Sequence, residues 1–151
     1  MSKITIYTDG AASGNPGPGA YAAVLISGVH RKELSGGFRK TTNNRMELLA
    51  VIVGLESLKN VGEEVTVYSD SKYVVEAVTK GWLFTWEKTR FKGKKNQDLW
   101  LRFLKIYRQH QVAFVWIKGH AGTPENERCD ELAVTTYQSG VLQVDTGYEN
   151  L

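Results

Sequence analysis

The chain has 151 residues, of which 42% are hydrophobic and 23% charged, and its formal net charge is +3. This composition excludes a low-complexity or disordered chain, and the length suits one domain with one core that needs no disulfide or structural metal. The single Cys129 has no internal disulfide partner. The sequence has no apolar run of about 18 residues and no recognisable secretory signal, so we expect a cytoplasmic protein with no membrane partner.

The first part of the chain is predicted to form three strands. Residues 4–9 alternate β-branched and aromatic types, and residues 20–27 and 31–39 have a similar strand character. Residues 10–19 contain four glycines and two prolines, which predicts a loop between the first two strands. Consecutive strands with short or glycine-rich links indicate an antiparallel meander.

A buried helix is predicted to follow these strands. Residues 41–44 are of types that cap helix N-termini, and apolar residues continue at helical spacing to Leu58. Most other positions in this stretch are apolar as well, which is typical of a helix buried on all sides. Glu47 is therefore conspicuous, because a carboxylate has no solvated role on such a helix.

The second half of the chain alternates strands and helices around a tryptophan-rich basic segment at 81–95. The predicted elements are a strand at 65–69, helices at 71–80 and 96–109, a strand at 112–118, a loop at 119–123 and a helix from Pro124. This order predicts an α/β fold with a mixed sheet flanked by helices, in one domain of residues 1–139. Residues 140–151 are expected to form a loosely ordered polar tail.

Three acidic residues lie where an acid is locally unfavourable. Asp9 ends the first predicted strand, Asp70 ends the fourth, and Glu47 lies in the buried helix. If the two strands are parallel neighbours, Asp9 and Asp70 meet at the carboxyl edge of the sheet, where such sheets bind ligands. Asp130, near the start of the last helix, is the fourth candidate.

A cluster of these acids would favour a divalent cation. Buried carboxylates repel one another unless cations neutralise them, and hard oxygen ligands select Mg²⁺ or Mn²⁺. Two such ions, roughly 3.5–4 Å apart, can promote in-line phosphoryl displacement. Other roles stay open at this point: Asp9 could cap a turn, Asp70 could cap the next helix, and Asp130 could be a surface residue.

The positive charge is concentrated in one segment. Residues 80–95 hold six basic residues and one acid, Glu87, so the remainder of the chain is slightly acidic. A basic patch on a near-neutral body is typical of a polyanion-binding protein, although a solvated charged helix and loop is the alternative. A basic groove beside an acidic metal centre is what a nuclease requires, because one binds the phosphate backbone and the other cuts it.

Five blocks of sequence carry a more specific signal. They are YTDG at 7–10, GNPGPG at 14–19, TTNNRMEL at 41–48, SDS at 69–71 with YV at 73–74, and KGHAG at 118–122 with PENERCD at 124–130. In this order and spacing the blocks resemble bacterial ribonuclease HI, the type 1 ribonuclease H family, from residue 4 to about 133. The tail sequence DTGY at 145–148 is similar to bacterial members as well. The resemblance implies a ribonuclease H-like fold, with a five-stranded sheet of three antiparallel strands followed by parallel strands.

The resemblance also implies a chemistry. It implies an endonuclease that hydrolyses the RNA strand of RNA–DNA hybrids and leaves 5′-phosphate and 3′-hydroxyl ends. The two Mg²⁺ ions, for which Mn²⁺ could substitute, would be held by four acids: Asp9, Glu47, Asp70 and Asp130. His120 corresponds to a loop histidine that assists proton transfer or product departure, with an ordinary surface histidine as the alternative. Glu127 either lies near the metals or is a surface helix residue.

Substrate contacts follow from the same resemblance. The backbone from Gly10 to Ser13 and three side chains would lie in the wide, shallow minor groove of the hybrid: Asn15, Asn43 and Asn44. Thr42 and Asn15 resemble the family's pocket for a DNA phosphate, and Asn43 and Asn44 could instead cap the helix. Most contacts would go to sugar and phosphate, so we expect little sequence specificity and strong salt dependence.

The segment 81–95 resembles the family's basic protrusion. Its Trp82 would pack against a sugar, and four lysines would meet DNA phosphates: Lys88, Lys92, Lys94 and Lys95. Trp86 and Trp100 are expected to pack in the core. The segment is several residues shorter than in the best-known bacterial sequences, Phe91 stands where tryptophan is common, and Lys72, a further candidate substrate contact, replaces a polar amide. These departures concern substrate affinity more than chemistry.

Two other interpretations are weaker. An exonuclease, resolvase or integrase core has a similar acidic fold, but the exonuclease usually has a second acid two residues after the first, where this chain has Ala11. A non-catalytic hybrid-binding module would be favoured if one of the four acids were missing, and all four are present. We expect the protein to be a monomer.

Overall fold

The computed structural model describes residues 3–150; residues 1, 2 and 151, at the outer ends of the predicted domain and tail, lie outside the described residues. Between residues 3 and 150 the chain forms five strands and six helices. They are β1 (Lys3–Ala12), β2 (Gly17–Ser27), β3 (His30–Thr41), α1 (Asn43–Glu56), β4 (Glu64–Ser69), α2 (Lys72–Thr79), α3 (Trp82–Lys88), α4 (Gln97–Tyr107), β5 (Gln111–Trp116), α5 (Pro124–Gln138) and α6 (Thr146–Glu149).

The five strands form one mixed sheet in the order β3-β2-β1-β4-β5. β2 is antiparallel to both β1 and β3, whereas β4 is parallel to both β1 and β5. This arrangement confirms the predicted α/β fold and its mixed five-stranded sheet. It places Asp9 on the central strand and Asp70 directly after the parallel neighbour of that strand.

Helices cover both faces of the sheet. On one face α1 and α4 enclose the larger core, which includes Ile6, Trp100 and Phe103. On the other face α5 packs over β1 and β2, where small side chains such as Ala22 allow Cys129 to approach closely. None of the helices within residues 3–150 is long and apolar enough to cross a membrane.

The loop predicted between the first two strands is much shorter than expected. The sheet register pairs Gly10 with Tyr21 and Ala12 with Gly19, so both strands extend into that segment and the turn is confined to residues 13–16. The predicted loop is too long because glycine is found in closely packed strands as well as in turns. The prediction that Asp9 ends its strand is wrong for the same reason.

The basic segment contains a helix, α3, that the sequence analysis did not predict. α3 buries Leu83, and the Trp86 ring lies edge-on to the Trp100 ring with 5.9 Å between centroids. The core packing expected of these two tryptophans is confirmed. The lysines of the segment stay exposed, so it is anchored on one side and charged on the other.

The end of the chain is held against the domain by specific contacts. Gln143 forms a bridge with Phe38 of β3, and buried Asp145 accepts hydrogen bonds from Arg45 Nε at 2.8 Å and Thr41 Oγ1 at 2.7 Å. The loose tail expected at 140–151 stays a prediction, although Gln143 and Asp145 make these contacts with the domain. One polar residue of this segment, Asp145, is the partner of Arg45. A buried cation is costly without such a partner.

Candidate active site

Asp9 projects from the middle of the sheet. Its strand continues to Ala12 because it pairs with β2, and Asp9 itself is only 5% exposed. One carboxylate oxygen accepts a hydrogen bond from the Gly10 main-chain N–H at 2.9 Å. Asp9 lies inside the paired part of β1, so it does not cap a turn.

Glu47 faces the same place from α1, with 9% of its surface exposed. The helix reaches β1 because residue 10 is glycine: a Cβ there would lie 2.3 Å from the Glu47 main-chain nitrogen. Thr42 caps the helix by accepting a hydrogen bond from the Arg45 N–H at 3.3 Å. Glu47 is therefore fixed one turn inside a well-capped and buried helix.

Asp70 follows the last residue of β4. The next residue, Ser71, caps α2 by accepting a hydrogen bond from the Val74 N–H at 3.3 Å, so Asp70 is not the helix cap. A Cβ on Gly119 would lie 2.6 Å from Asp70 Oδ2, which shows how closely the loop after β5 approaches this carboxylate. Asp70 is thus positioned by the strand end and by the adjacent loop.

The three carboxylates form one cluster. One oxygen each of Asp9, Glu47 and Asp70 lies within 4.8 Å of the others. Glu47 Oε1 and Asp70 Oδ1 are buried and have no hydrogen-bond partner in the structure. Buried acceptors normally have partners, so this donor set fits a hard divalent cation.

Burial and mutual repulsion alter the protonation of two of these acids. Burial, followed by the charge of Asp70, raises the pKa of Asp9 to about 8; Asp130 adds to the rise, and the Gly10 N–H opposes it. Burial, followed by the charges of Asp9 and Asp70, raises the pKa of Glu47 well above its usual value. Without a cation the cluster therefore holds protons at neutral pH, and a cation would replace them.

Asp130 lies near this cluster but is not one of its three members. It is half-buried on α5, and its charge acts on the pKa of Asp9. The sequence predicts four acids in one pocket, and the structure brings oxygens of three of them within 4.8 Å of one another. A metal-binding role for Asp130 stays a prediction.

His120 lies in the exposed loop between β5 and α5. Its backbone has a φ of 56°, and the neighbouring Gly122 has a φ of 86°, so two left-handed residues shape the loop. Gly119 brings the loop against Asp70 as described above. The structure places His120 one residue from that contact, and Glu127 on the exposed side of α5.

The polar residues predicted to contact substrate gather near the start of α1. Asn43 accepts a hydrogen bond from the Ala12 N–H at 2.8 Å, and Asn15 accepts one from the Asn43 N–H at 3.1 Å. Thr42, and not Asn43 or Asn44, is the N-cap of the helix. Ser13 is exposed at the turn that follows β1. These contacts tie the turn to the helix and leave Asn44 exposed beside them.

Two adjoining grooves contain most of the predicted substrate residues. The larger groove, of about 880 Å³, includes Asn15, Thr42, Asn44, Lys94 and Lys95. The smaller groove, of about 360 Å³, shares the last three of these residues and adds Lys72 and Trp82. Lys88 and Lys92 are exposed but line neither groove. Neither groove is lined by a carboxylate of the cluster, and the lining lysine nearest to the cluster along the chain is Lys72, two residues after Asp70.

Comparison with known proteins identifies the family. The family described as RNase H matches residues 1–138. The chain belongs to the ribonuclease H family. A ribonuclease H of Rippkaea orientalis is 56% identical, over 98% of this chain and 93% of its own length.

Solved ribonuclease H structures share this fold. LC9-RNase H1, a type 1 RNase H with the type 2 active-site motif, matches with a TM-score of 0.83 and 28% identity, over 99% of this chain and 80% of its own. LC11-RNase H1 in complex with an RNA/DNA hybrid matches with a TM-score of 0.67 and 27% identity, over 89% of this chain and 96% of its own. The predicted family, fold and enzyme class are confirmed.

Two further residues adjoin the ribonuclease H carboxylates: Trp116, which the sequence did not single out, and Gly119, which was singled out only as part of the block at 118–122. Trp116 donates a hydrogen bond from Nε1 to the Asp70 main-chain oxygen at 3.1 Å, and Gly119 packs against the Asp70 carboxylate. The positions of both residues could have been inferred from the predicted strand order. β5 is the parallel neighbour of β4, so residues at its carboxyl end reach the same edge of the sheet as Asp70.

Proposed function

We propose that this ribonuclease H is an endonuclease that hydrolyses the RNA strand of RNA–DNA hybrids and leaves 5′-phosphate and 3′-hydroxyl ends. The observation that carries the proposal is the cluster of Asp9, Glu47 and Asp70, with one oxygen of each within 4.8 Å of the others. A lysine-lined groove that includes Lys72, two residues after Asp70, accompanies it. The similar LC11-RNase H1 was crystallised in complex with an RNA/DNA hybrid, which supports the same substrate class here.

We infer that the cluster binds Mg²⁺, two ions during catalysis, and that Mn²⁺ can substitute. The acids supply hard oxygen ligands, and two of their buried oxygens lack partners: Glu47 Oε1 and Asp70 Oδ1. Asp130 would complete the ligand set from α5. Bound divalent ions would supply Lewis-acid activation of the attacking water and would neutralise charge on the leaving oxygen.

The remaining catalytic role falls to His120. Its loop is shaped by left-handed residues and touches the edge of the cluster through Gly119. His120 is exposed to solvent. We assign it proton transfer or assistance with product departure, in a loop whose glycines allow movement.

Substrate would be held mostly through its backbone. The minor groove of the hybrid would lie over Gly10, Ser13, Asn15, Asn43 and Asn44, with Thr42 and Asn15 at a DNA phosphate. The basic side would be formed by Lys72, Trp82, Lys88, Lys92, Lys94 and Lys95. Phosphate and sugar contacts predict little sequence preference and an affinity that falls steeply with salt. A monomeric state and a cytoplasmic location complete the proposal.

A cleavage assay on labelled duplexes tests this function. The wild-type protein with Mg²⁺ should cut the RNA strand at internal positions of an RNA–DNA hybrid and leave the DNA strand intact, and EDTA should stop the reaction. Duplex DNA and duplex RNA of the same sequence are the controls and should stay largely uncut. Equal cleavage of duplex RNA, or cleavage that survives EDTA, would refute the proposal.

A further inference from the structure

Trp116, the last residue of β5, contacts the catalytic edge of the sheet in two ways. Its indole N–H donates to the Asp70 main-chain oxygen at 3.1 Å, and the Lys72 ammonium lies over its ring at 5.0 Å from the centroid. The side chain is also unusually accessible for a tryptophan, at 43% exposed. Core packing therefore does not account for the residue.

The charge of Lys72 acts on Glu76, whose pKa is lowered first by the hydrogen bond from Lys80 and to a smaller extent by Lys72. Among residues 3–150 no ion pair involves Lys72, and Glu76, one turn along α2, is paired with Lys80 at 2.8 Å. The Lys72 ammonium instead lies over the Trp116 ring face, where the ring quadrupole attracts a cation. Such a contact orients the ammonium without consuming its ability to donate hydrogen bonds to an anion.

Lys72 and Trp116 connect the smaller basic groove with the main chain at Asp70. Lys72 follows Asp70 by two residues and lines the smaller basic groove together with Asn44 and Lys94. Trp116 is aligned with Ser69, the residue before Asp70, across the parallel β4–β5 pair. One indole therefore contacts both the main chain that carries a cluster carboxylate and the groove cation nearest to it in sequence.

We propose that Trp116 is a positioning residue that holds Lys72 for a phosphate of the bound nucleic acid beside the carboxylates and fixes the Asp70 main chain. The inference rests on the function proposed above. A lysine side chain loses rotamer freedom when it binds a phosphate, and prior orientation on the ring reduces that loss. The indole N–H bond acts separately, on the placement of the Asp70 carboxylate.

The two contacts can be separated by substitution. Trp116→Phe keeps an aromatic face for Lys72 and removes the N–H donor, whereas Trp116→Leu removes both. Lys72→Gln removes only the cation. The matched control is Lys32→Gln, an exposed lysine on β3 at the opposite edge of the sheet. Kd for a hybrid is measured in EDTA over a range of salt, and KM and kcat are measured with Mg²⁺.

We expect Lys72→Gln and Trp116→Leu each to raise Kd by about three- to tenfold and to reduce the salt slope by about one. The double variant should bind no more than about twofold worse than either single variant, because both changes remove one contact. Trp116→Phe should keep Kd within about twofold and lower kcat by about three- to tenfold. Lys32→Gln should match the wild type.

The inference is overturned if Trp116→Leu keeps wild-type Kd and salt slope while Lys72→Gln loses them, or if the two effects multiply in the double variant. If Trp116→Leu does not fold, Trp116→Phe and Lys72→Gln still decide: a wild-type kcat for Trp116→Phe, or a wild-type Kd for Lys72→Gln, rejects the role. A wild-type protein that neither binds nor cuts hybrid would reject the proposed function instead.

Discussion

Gly10 and Glu47 are packed so closely that a Cβ on Gly10 would stand 2.3 Å from the Glu47 main-chain nitrogen. The atom in the way belongs to the backbone of α1, so it cannot be moved by a change of rotamer. The absence of a side chain on β1 is therefore what allows the helix to carry Glu47 to Asp9. The geometry of the acidic cluster therefore depends on glycine at position 10, which substitution can test.

Gly10→Ala should push α1 away from the sheet and separate Glu47 from the other carboxylates. We expect a loss of roughly 2–3 kcal/mol of unfolding free energy, as for other overpacked sites, and at least a tenfold loss of kcat. Gly37→Ala is the matched control, because the nearest atom there is Cδ2 of the Leu142 side chain, which can rotate. Equal behaviour of the two variants in urea unfolding and cleavage assays would contradict this explanation.

The metal-free protein should become less stable as pH rises from about 4 to about 8. Burial first, and then the charge of Asp70, raises the pKa of Asp9 to about 8, so between these values the folded state binds more protons than the unfolded state. Urea unfolding in EDTA at several pH values measures the slope. Asp9→Asn should flatten it without abolishing it, because the pKa of Glu47 is raised as well. A stability that increases over this range would contradict the assignment.

Binding of Mg²⁺ should release protons and stabilise the fold. The cation replaces protons held by Asp9 and Glu47, whose pKa values are raised. Calorimetric titration at pH 7, in two buffers of different ionisation enthalpy, should therefore give different apparent heats, and Tm should rise with Mg²⁺ concentration. Glu47→Gln should weaken both effects. Identical heats in the two buffers would show that the metal displaces no protons.

The tail should contribute to stability through its buried ion pair. Arg45 is buried between Asp98 and Asp145, so Asp145→Ala leaves part of a buried cation unpaired and should cost roughly 3 kcal/mol. Glu149→Gln, which breaks the more exposed pair with Arg39, should cost much less, because solvent screens that pair. Urea unfolding distinguishes the two. Similar small losses would mean that the tail is not an integral part of the fold.

Much of the fold and the centre of the site could be predicted from sequence. Periodicity located the strands and the buried α1, and an acid inside that helix pointed to Glu47. What could not be predicted depends on distant contacts. α3 forms because Trp86 packs on Trp100, and Asp145 is ordered because it pairs with Arg45 from α1. Core packing of the two tryptophans is predicted, but local composition reveals neither that they contact each other nor that Asp145 pairs with Arg45.

The role proposed for Trp116 could not be predicted from the sequence for a related reason. The sequence predicts a strand at 112–118 that includes Trp116, but the role proposed for this residue depends on which strand lies beside β5. Only the parallel alignment of β4 with β5 brings its indole to the Asp70 main chain. Sequence motifs locate residues that carry charge, whereas residues that hold them in place are found from the topology.

The central claim is that Asp9, Glu47 and Asp70 act as one divalent-metal site that cuts a bound hybrid. The most direct measurement compares Asp70→Asn with the wild type in two assays: hybrid affinity in EDTA, and single-turnover cleavage with Mg²⁺. Affinity should stay within about threefold of the wild-type value, while cleavage should fall by at least about a thousandfold. Cleavage by Asp70→Asn at a rate near that of the wild type would contradict the account.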